Sequence, residues 1–382
     1  MWLLEIAYWF SVLAILYIYL GYPVVAWIMG RLLNREIRKS PIEPTVTILT
    51  AAYNEAANIE DTIRNKLALD YPADKREILV ISDSSDDGTD DIVRRYEDQG
   101  VRLIRQEPRQ GKTSALNLAV PEAKGEILVF SDANSIYAPE ALRAIISNFA
   151  DPKVGYVTGK MIYTNPEGTP IGDGCSSYMK YENFLRDHET RVGSVVGVDG
   201  GIDAVRKDLY VPMNPDQLPD FVLPLRVVEQ GCRVVYEPGA ILKEPALKTE
   251  SDEYRMRVRV SLRSLWALWD MRHLLSFKRY GLFAWQLLSH KVMRYLAFVF
   301  ILAAFVTSYF LMAGSWLYTL LFLLECGAAG TAVVCMIKKE YLDKSRLLAL
   351  LHYFVMLNAA SAHAFVKFLS GKKMVTWTPR KG

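Results

Sequence analysis

The amino-terminal part of the chain is an apolar stretch of a length that suits a membrane. Residues 6–30 contain no charged side chain, and 25 residues at about 1.5 Å each exceed the roughly 30 Å hydrocarbon core of a bilayer. The stretch is too long for a signal peptide and lacks a basic amino-terminal flank, so we expect residues 1–43 to form an anchor. Basic residues follow it directly, namely Arg31, Arg35, Arg38 and Lys39. Since basic flanks stay on the cytoplasmic side, the next domain is expected to be cytoplasmic.

The carboxy-terminal region, residues 295–382, is also largely apolar. Residues 295–337 carry one charged side chain, Glu325, and are interrupted near 313–315, which predicts a helical hairpin. Residues 347–366 are long enough to span but contain three polar side chains, His352, Asn358 and His363, and a basic tail follows. A full span would place that tail outside, against the positive-inside tendency. Two alternatives therefore remain open for this segment, a third span or a re-entrant helix buried against its neighbours.

Between the apolar ends, residues 44–240 alternate short β-rich runs with amphipathic helical patterns. The predicted strands are 45–51, 77–82, 101–105 and 126–131. This alternation predicts an α/β domain with a mostly parallel sheet, in which ligands bind at the carboxyl ends of the strands.

Residues 241–294 combine basic and large apolar side chains. Residues 251–294 include nine basic and three acidic side chains, interleaved with leucines and tryptophans. This pattern is typical of amphipathic helices at a bilayer surface, with basic side chains near anionic lipid. The aromatic residues could also border a path for an acceptor, and interfacial anchoring is the simpler interpretation for each of them.

Composition narrows the function classes. The chain of 382 residues is 51% hydrophobic and 23% charged, which indicates one part in lipid and one part in water. A net charge of +3 gives no excess typical of nucleic-acid binding, so nucleic acid is not expected as a partner. The four cysteines have no spacing typical of a zinc site or a disulfide framework.

Polar side chains follow three of the predicted strands. Tyr53 and Glu55 follow the first strand, Asp83 follows the second, and Asp132 follows the fourth. Carboxylates at one sheet edge can bind a ribose or base, or hold a divalent cation against a diphosphate. Asp132 follows a buried strand with no helix directly after it, which favours function, whereas Asp86, Asp87 and Thr89 fit helix caps.

A glycine and a lysine, Gly111 and Lys112, begin the helical pattern after the third strand. A Walker A loop is excluded because Gln106 stands where the first glycine is required. An ammonium and free backbone donors at a helix start still favour phosphate binding.

Six elements in chain order carry a resemblance to a known family. They are Tyr53-Asn54-Glu55, D-S-S-D-D-G-T at 83–89, G-K-T-S-A-L-N at 111–117, Asp132-Ala133-Asn134, G-G-I-D-A-V-R at 200–206, and Asp220-x-x-Leu223-x-x-Arg226. These elements resemble the motifs of family 2 inverting glycosyltransferases with the GT-A fold. With its flanking apolar segments, the chain resembles the membrane-integrated branch, which includes hyaluronan, cellulose and chitin-oligosaccharide synthases and ceramide glucosyltransferase.

The resemblance implies a site and a reaction. It implies that a nucleotide-diphosphate sugar, expected to be UDP-linked, binds to a set of residues, which are Ala52, Tyr53, Glu55, Asp83, Lys112 and Asp132. Asp132 and Asn134 would hold Mg²⁺ or Mn²⁺, and Asp220 would be the catalytic base. The acceptor, a carbohydrate or a lipid-linked molecule, would lie near four residues, which are Gly200, Gly201, Arg263 and Trp266. The expected location is the cytoplasmic face of a bacterial inner membrane.

Three features depart from the family pattern. Asn134 replaces the second acid of D-x-D, Pro219 replaces the acid before Asp220, and no Q-x-x-R-W motif is present. The first two permit a second hypothesis, a non-catalytic membrane scaffold of a polysaccharide export complex. The third leaves processive synthesis open.

Overall fold

The computed structural model describes residues 1–164, 170–245, 249–338, 342 and 345–376. Its centre is one sheet of eight strands in the order β3-β2-β1-β4-β7-β6-β8-β5. The strands are β1 (Val46–Ala52), β2 (Arg76–Asp83), β3 (Val101–Gln106), β4 (Ile127–Asp132), β5 (Ile136–Tyr137), β6 (Val154–Thr164), β7 (Ile202–Arg206) and β8 (Arg233–Pro245). The four strands predicted from the sequence are β1 to β4, each within one or two residues at its ends.

Helices cover both faces of the sheet and continue beyond it. Those of the sheet domain are α3 (Ile59–Leu67), α4 (Thr89–Arg94), α5 (Lys112–Ala119), α6 (Ala141–Ser147), α7 (Pro170–Val192) and α8 (Pro219–Glu229). The flanking helices are α1 (Trp2–Leu16), α2 (Tyr22–Leu33), α9 (Glu250–Asp270), α10 (Phe277–Tyr280), α11 (Leu282–Leu287), α12 (Met293–Tyr295), α13 (Ala297–Leu311), α14 (Trp316–Ile337) and α15 (Arg346–Leu369).

The sheet is mixed. Strands β3, β2, β1 and β4 are parallel neighbours, and β7 then pairs antiparallel with both β4 and β6. Strand β8 pairs in parallel with β6 and runs to Pro245, beyond the predicted domain boundary at 240. The α/β fold class is confirmed, with antiparallel pairs on one side of the sheet.

Alternating side chains of the central strands supply two cores. In β1, Val46 and Ile48 belong to a cluster on one face, and Leu49 and Ala51 belong to a cluster on the other. Because both faces are covered by helices, the strand is buried along its whole length, as expected for a central strand. In register, Ala51 lies beside Asp132, so the carboxyl ends of β1 and β4 coincide.

Among the described residues, three helical segments are long and apolar enough to cross a membrane, which are Trp2–Leu33 (α1 and α2 together), Trp316–Ile337 and Leu347–Leu369. A fourth candidate is the pair Leu282–Tyr295 and Ala297–Leu311, which is bent by 57°. The interruption predicted near 313–315 lies between α13 and α14. Part of the predicted basic tail, residues 377–382, lies outside the described residues.

Helix α9, predicted as an interfacial helix, is more buried than that prediction implies. Its side chains from Val258 to Leu268 are largely buried, and Val258 and Leu262 pack with Ala360 and Ala364 of α15. The helix therefore connects the sheet domain to the carboxy-terminal membrane helix.

Candidate active site

A cavity of about 270 Å³ opens at the carboxyl ends of β1 and β4, between the sheet and helices α7, α8 and α9. Strands β1 and β4 contribute Ala51 and Asp132, the loops after them contribute Glu55 and Asn134, and α5 contributes Lys112. Helix α8 contributes Asp220, and α9 contributes Arg257, Arg259 and Arg263. The cavity thus gathers residues that are up to about two hundred positions apart in the chain.

Lys112 and Asp132 form the central pair of this cavity. Nζ of Lys112 donates to Oδ1 of Asp132 over 2.5 Å, and the two side chains are 23% and 35% exposed. Burial alone would lower the pKa of Lys112, but the charges of Asp132 and Asp220 outweigh it and raise that pKa. Lys112 is therefore a cation at neutral pH, paired with Asp132 and attracted by the charge of Asp220.

Asp220 is the second residue of α8. The helix begins at Pro219, and its N-cap residue is Leu218, which makes no capping hydrogen bond through its side chain. Asp220 is therefore not the cap residue. Burial raises the pKa of Asp220, the Lys112 cation lowers it and the Asp132 charge raises it, with a net increase. A carboxylate with a raised pKa at the wall of a cavity has the properties of a general base.

Gly200 provides the space in which the Asp220 carboxylate lies. A Cβ at Gly200 would come 2.5 Å from Oδ2 of Asp220, and the φ angle of Gly200 is +84°. Oδ2 of Asp203 holds this turn by accepting from the Gly200 amide at 2.9 Å. Burial raises the pKa of Asp203 to about 7. Gly201 accepts from the Tyr137 hydroxyl at 2.8 Å through its carbonyl.

Asp83 is fully buried and organises the loop that precedes Lys112. Its carboxylate accepts from the backbone amides of Gln110 at 2.8 Å and Gly111 at 2.9 Å, and from Nε2 of Gln106 at 2.5 Å. These bonds fix the start of α5. A direct contact of Asp83 with a donor stays a prediction.

The loop after β1 is held by the loop after β2. The amides of Asn54, Glu55 and Ala56 donate to Ser85, Thr89 and Asp87, and Asp87 also accepts from the Thr89 amide. The Tyr53 ring lies 3.4 Å from the Arg109 guanidinium. Ala52 is fully buried in a core cluster, whereas Glu55 lines the cavity.

A buried lysine under the loop after β4 escaped the sequence analysis. Lys66 of α3 is 1% exposed, donates to the Ser135 carbonyl at 2.6 Å and lies 3.4 Å from the Tyr137 ring centre. Burial lowers its pKa well below the usual value. Thr62 supports the same loop by donating to the Ala133 carbonyl at 2.6 Å. A lysine within an amphipathic helical pattern normally indicates a solvated position, so this role could not be predicted from the sequence.

An ion pair on the opposite wall was also missed. Arg186 of α7 lies 2.7 Å from Asp199, both side chains are buried, and both line the cavity. Arg186 also donates to the Gly197 carbonyl at 3.0 Å. The pair fixes the segment that leads to Gly200.

The basic residue and the aromatic residue predicted on the acceptor side, Arg263 and Trp266, have different surroundings. Arg263 lines the cavity and donates to the carbonyls of Asp216 and Gln217 and to Thr113, which ties α9 to the segment before α8. Burial lowers its pKa to about 10.

Trp266 is not among the residues that line the cavity, and its indole donates to the Lys372 carbonyl at 2.9 Å. A Cβ at Gly111 would lie 2.8 Å from the Val375 carbonyl oxygen, so the tail after α15 passes over the start of α5.

The residues of this cavity fit one arrangement for a divalent metal. Among the described residues, no group of three or more His, Cys, Asp or Glu side chains could hold an ion. Asp132 and Asn134 both line the cavity and offer two oxygen donors. Mg²⁺ is commonly held by one or two carboxylates together with substrate phosphates, so this set fits an ion whose shell a diphosphate completes.

Comparisons with known proteins agree with this architecture. The model of Glycosyl transferase family 2 matches residues 47–217. Poly-beta-1,6-N-acetyl-D-glucosamine synthase of Staphylococcus aureus (strain COL) is 29% identical over 261 residues, 63% of this chain and 63% of that protein. The synthase of the same name from Staphylococcus epidermidis is 23% identical over 316 residues, 74% of this chain and 76% of that protein. This chain thus spans less than two thirds of the Staphylococcus aureus relative.

A solved structure shares the fold over nearly the whole chain. The mannosyltransferase PcManGT from Pyrobaculum calidifontis superposes with a TM-score of 0.72 at 23% identity, covering 95% of this chain and 99% of that one. The chain is therefore a membrane protein built around a GT-A domain. The family 2 model matches most of that domain, and the resemblance inferred from the motifs is confirmed.

Proposed function

We propose that this protein transfers a sugar, with inversion, from a nucleotide-diphosphate sugar to an acceptor hydroxyl at the cytoplasmic face of a membrane. The acceptor is a carbohydrate or a lipid-linked molecule. The observation that carries this proposal is the position of Asp220 beside the Lys112–Asp132 pair in one cavity. A base and a phosphate-neutralising cation are the two groups that such a transfer requires.

In the proposed reaction Asp220 accepts the proton of the acceptor hydroxyl. The oxygen then forms a bond to the anomeric carbon as the bond from that carbon to the diphosphate oxygen breaks. The nucleoside diphosphate leaves with the bonding electron pair. Lys112 stabilises the charge that develops on it, because an ammonium in a partly buried site interacts strongly with phosphate. A divalent ion held by Asp132 and Asn134 would supply further neutralisation of the diphosphate.

We propose a UDP-linked donor. The Staphylococcus relatives are named as synthases of an N-acetylglucosamine polymer, which supports a carbohydrate product. The Pyrobaculum enzyme was solved in complex with GDP-Man and Mn²⁺, which supports a GDP-sugar as the main competitor and a divalent metal as cofactor. The departure at Pro219 does not weaken the proposal, since proline is well tolerated at the first position of a helix.

The test is nucleotide release by the full chain in detergent. Purified protein is incubated with a panel of UDP- and GDP-sugars and Mn²⁺ or Mg²⁺, and the released diphosphate is measured. We expect release with one donor, abolished by EDTA and restored by metal. Absence of release with every donor, with and without membrane extract as acceptor source, would favour the scaffold hypothesis.

A further inference from the structure

A second, smaller chamber of about 80 Å³ adjoins the catalytic cavity. The two share wall residues, which are Tyr178, Arg257, Val260, Lys291 and Tyr295. The remaining wall includes Tyr19 of the first candidate span and Asn358 of α15. The chamber therefore lies between the catalytic cavity and two helices that are long and apolar enough to cross a membrane.

The charges of this chamber are predominantly positive. Arg257, Lys291 and Arg294 line it, and the described residues that line it include no Asp or Glu. Two carboxylates from outside the chamber wall pair with these three cations. Glu253 lies 2.7 Å from Arg257, and Glu182 lies 2.5 Å from Arg294 but 3.8 Å from Lys291. Of these three cations, Lys291 has the weakest pairing.

A third carboxylate, Glu189, lies beside the neighbouring histidine. His290 also lines the chamber, and its Nδ1 lies 2.6 Å from Glu189 while its Nε2 lies 3.4 Å from Glu182. Glu189 in turn accepts from the Tyr22 hydroxyl at 2.5 Å and from the Val196 amide at 3.2 Å. Glu189 thus hydrogen-bonds three other groups and acts on Lys291 through its charge at longer range.

We propose that this basic chamber binds the phosphate of a lipid-linked acceptor. The acceptor hydroxyl that receives the sugar reaches Asp220 in the adjoining cavity. The inference rests on the proposed function and specifies the acceptor class of the same site. Basic pockets between membrane helices are suited to anionic lipid headgroups. Among the described residues, no carboxylate lies within hydrogen-bond distance of the Lys291 ammonium, so a phosphate can give it an ionic hydrogen-bond partner that a neutral glycan does not offer.

The base in the main cavity decides which part of such an acceptor reacts. A phosphate oxygen is already ionised at neutral pH and requires no base. Asp220, at the wall of the catalytic cavity, is placed to serve a hydroxyl nucleophile. The phosphate therefore occupies the basic chamber as a recognition group, and the hydroxyl lies in the catalytic cavity.

The experiment measures the melting temperature of the full chain in a neutral maltoside detergent. The probes are dodecyl phosphate, dodecanol, inorganic phosphate and phosphatidylglycerol, each titrated. Ligands that bind the folded state raise the melting temperature by mass action. We expect saturable stabilisation by dodecyl phosphate alone, with Lys291→Gln requiring about tenfold more probe for the half-maximal shift.

Two further variants serve as a control and as a substitute in this experiment. Lys278→Gln removes an exposed cation from α10 and should leave the titration unchanged. If Lys291→Gln melts without a cooperative transition, Gly197→Ala replaces it, because a Cβ at Gly197 would collide with the Lys291 ammonium and displace it. Neither Lys291→Gln nor Gly197→Ala changes Glu182 or Arg294, which pair with each other.

Several results would overturn the inference. Equal stabilisation by inorganic phosphate would show a simple anion site, and equal stabilisation by phosphatidylglycerol would show a bilayer contact instead of an acceptor site. An unchanged titration in the Lys291 or Gly197 variant would remove the basic chamber as the binding site. Binding of UDP or GDP with Mn²⁺ is measured in parallel, so a failed proposed function is recognised by lost nucleotide binding while the dodecyl phosphate result is read separately.

Discussion

The ammonium of Lys112 lies 2.5 Å from a carboxylate oxygen of Asp132 and also acts electrostatically on Asp220. These three groups come from α5, β4 and α8, and their charges are coupled through one cation. Lys112 therefore has two effects that can be separated by experiment. It neutralises charge near Asp132, and it lowers the pKa of the proposed base.

The first prediction concerns the pH dependence of Lys112→Met. Burial raises the pKa of Asp220 and Lys112 partly opposes this, so removal of the ammonium should raise the pKa of Asp220 further. A base is active only when deprotonated, so activity is lost as pH falls through its pKa. The acid limb of the rate profile should move to higher pH in this variant, measured as kcat/KM for nucleotide release between pH 5 and 9.

The control for this variant is Lys124→Met, since Lys124 is exposed on the loop before β4. Its acid limb should coincide with that of the unchanged protein. An acid limb of Lys112→Met at unchanged or lower pH would contradict the coupling between Lys112 and Asp220.

The second prediction concerns Asp220→Asn. The amide preserves the shape of the side chain but cannot accept the acceptor proton, so transfer should fall by about 10²–10⁴-fold. Stability should change little, because Asp220 is not the cap residue of α8. Nucleotide binding, measured by calorimetry with Mn²⁺, should survive. Near-normal transfer by this variant would remove Asp220 as the base.

The strand-end carboxylates show how far the sequence could predict this site. Asp132 was identified from its position after a buried strand and Asp220 from the motif that resembles family 2, and both line the cavity. Strand ends could be predicted because the alternation of buried residues is local. What could not be predicted depends on contacts between distant elements. The carboxylate of Asp83 points to amides 27 and 28 residues later, and Lys66 of α3 reaches a carbonyl 69 residues away.

The third prediction tests this structural role of Asp83. Asp83→Asn replaces one acceptor oxygen by a donor, which then faces either the Gln110 amide or the Gly111 amide, so a buried hydrogen bond is lost. The free energy of unfolding should fall by about 1–3 kcal/mol, measured by denaturant titration in detergent. Asp91→Asn is the matched control, because Asp91 forms an exposed pair with Arg94 and should have little effect. An unchanged stability together with lost nucleotide binding would instead support direct donor contact by Asp83.

The fourth prediction concerns the side of the membrane on which the sheet domain lies. The flanking arginines after α2 predict a cytoplasmic domain. Gln99 lies in an exposed turn before β3, so a cysteine placed there is accessible from the domain's own side. A membrane-impermeant maleimide should label Gln99→Cys in permeabilised cells but not in intact cells. Labelling of intact cells would reverse the predicted topology.

The last prediction isolates the space beside Asp220. Gly200 and Gly231 have nearly equal φ angles, +84° and +83°, but only at Gly200 would a Cβ meet other atoms, 2.5 Å from Oδ2 of Asp220. Alanine at either position pays the cost of a left-handed backbone, about 1–2 kcal/mol. Gly231→Ala should therefore be destabilised with near-normal transfer. Gly200→Ala should also displace the Asp220 carboxylate and lose at least tenfold more kcat than Gly231→Ala under the same conditions. Since the shared backbone cost cancels between the two variants, equal values of kcat would show that the contact of Gly200 with Asp220 has no role in the reaction.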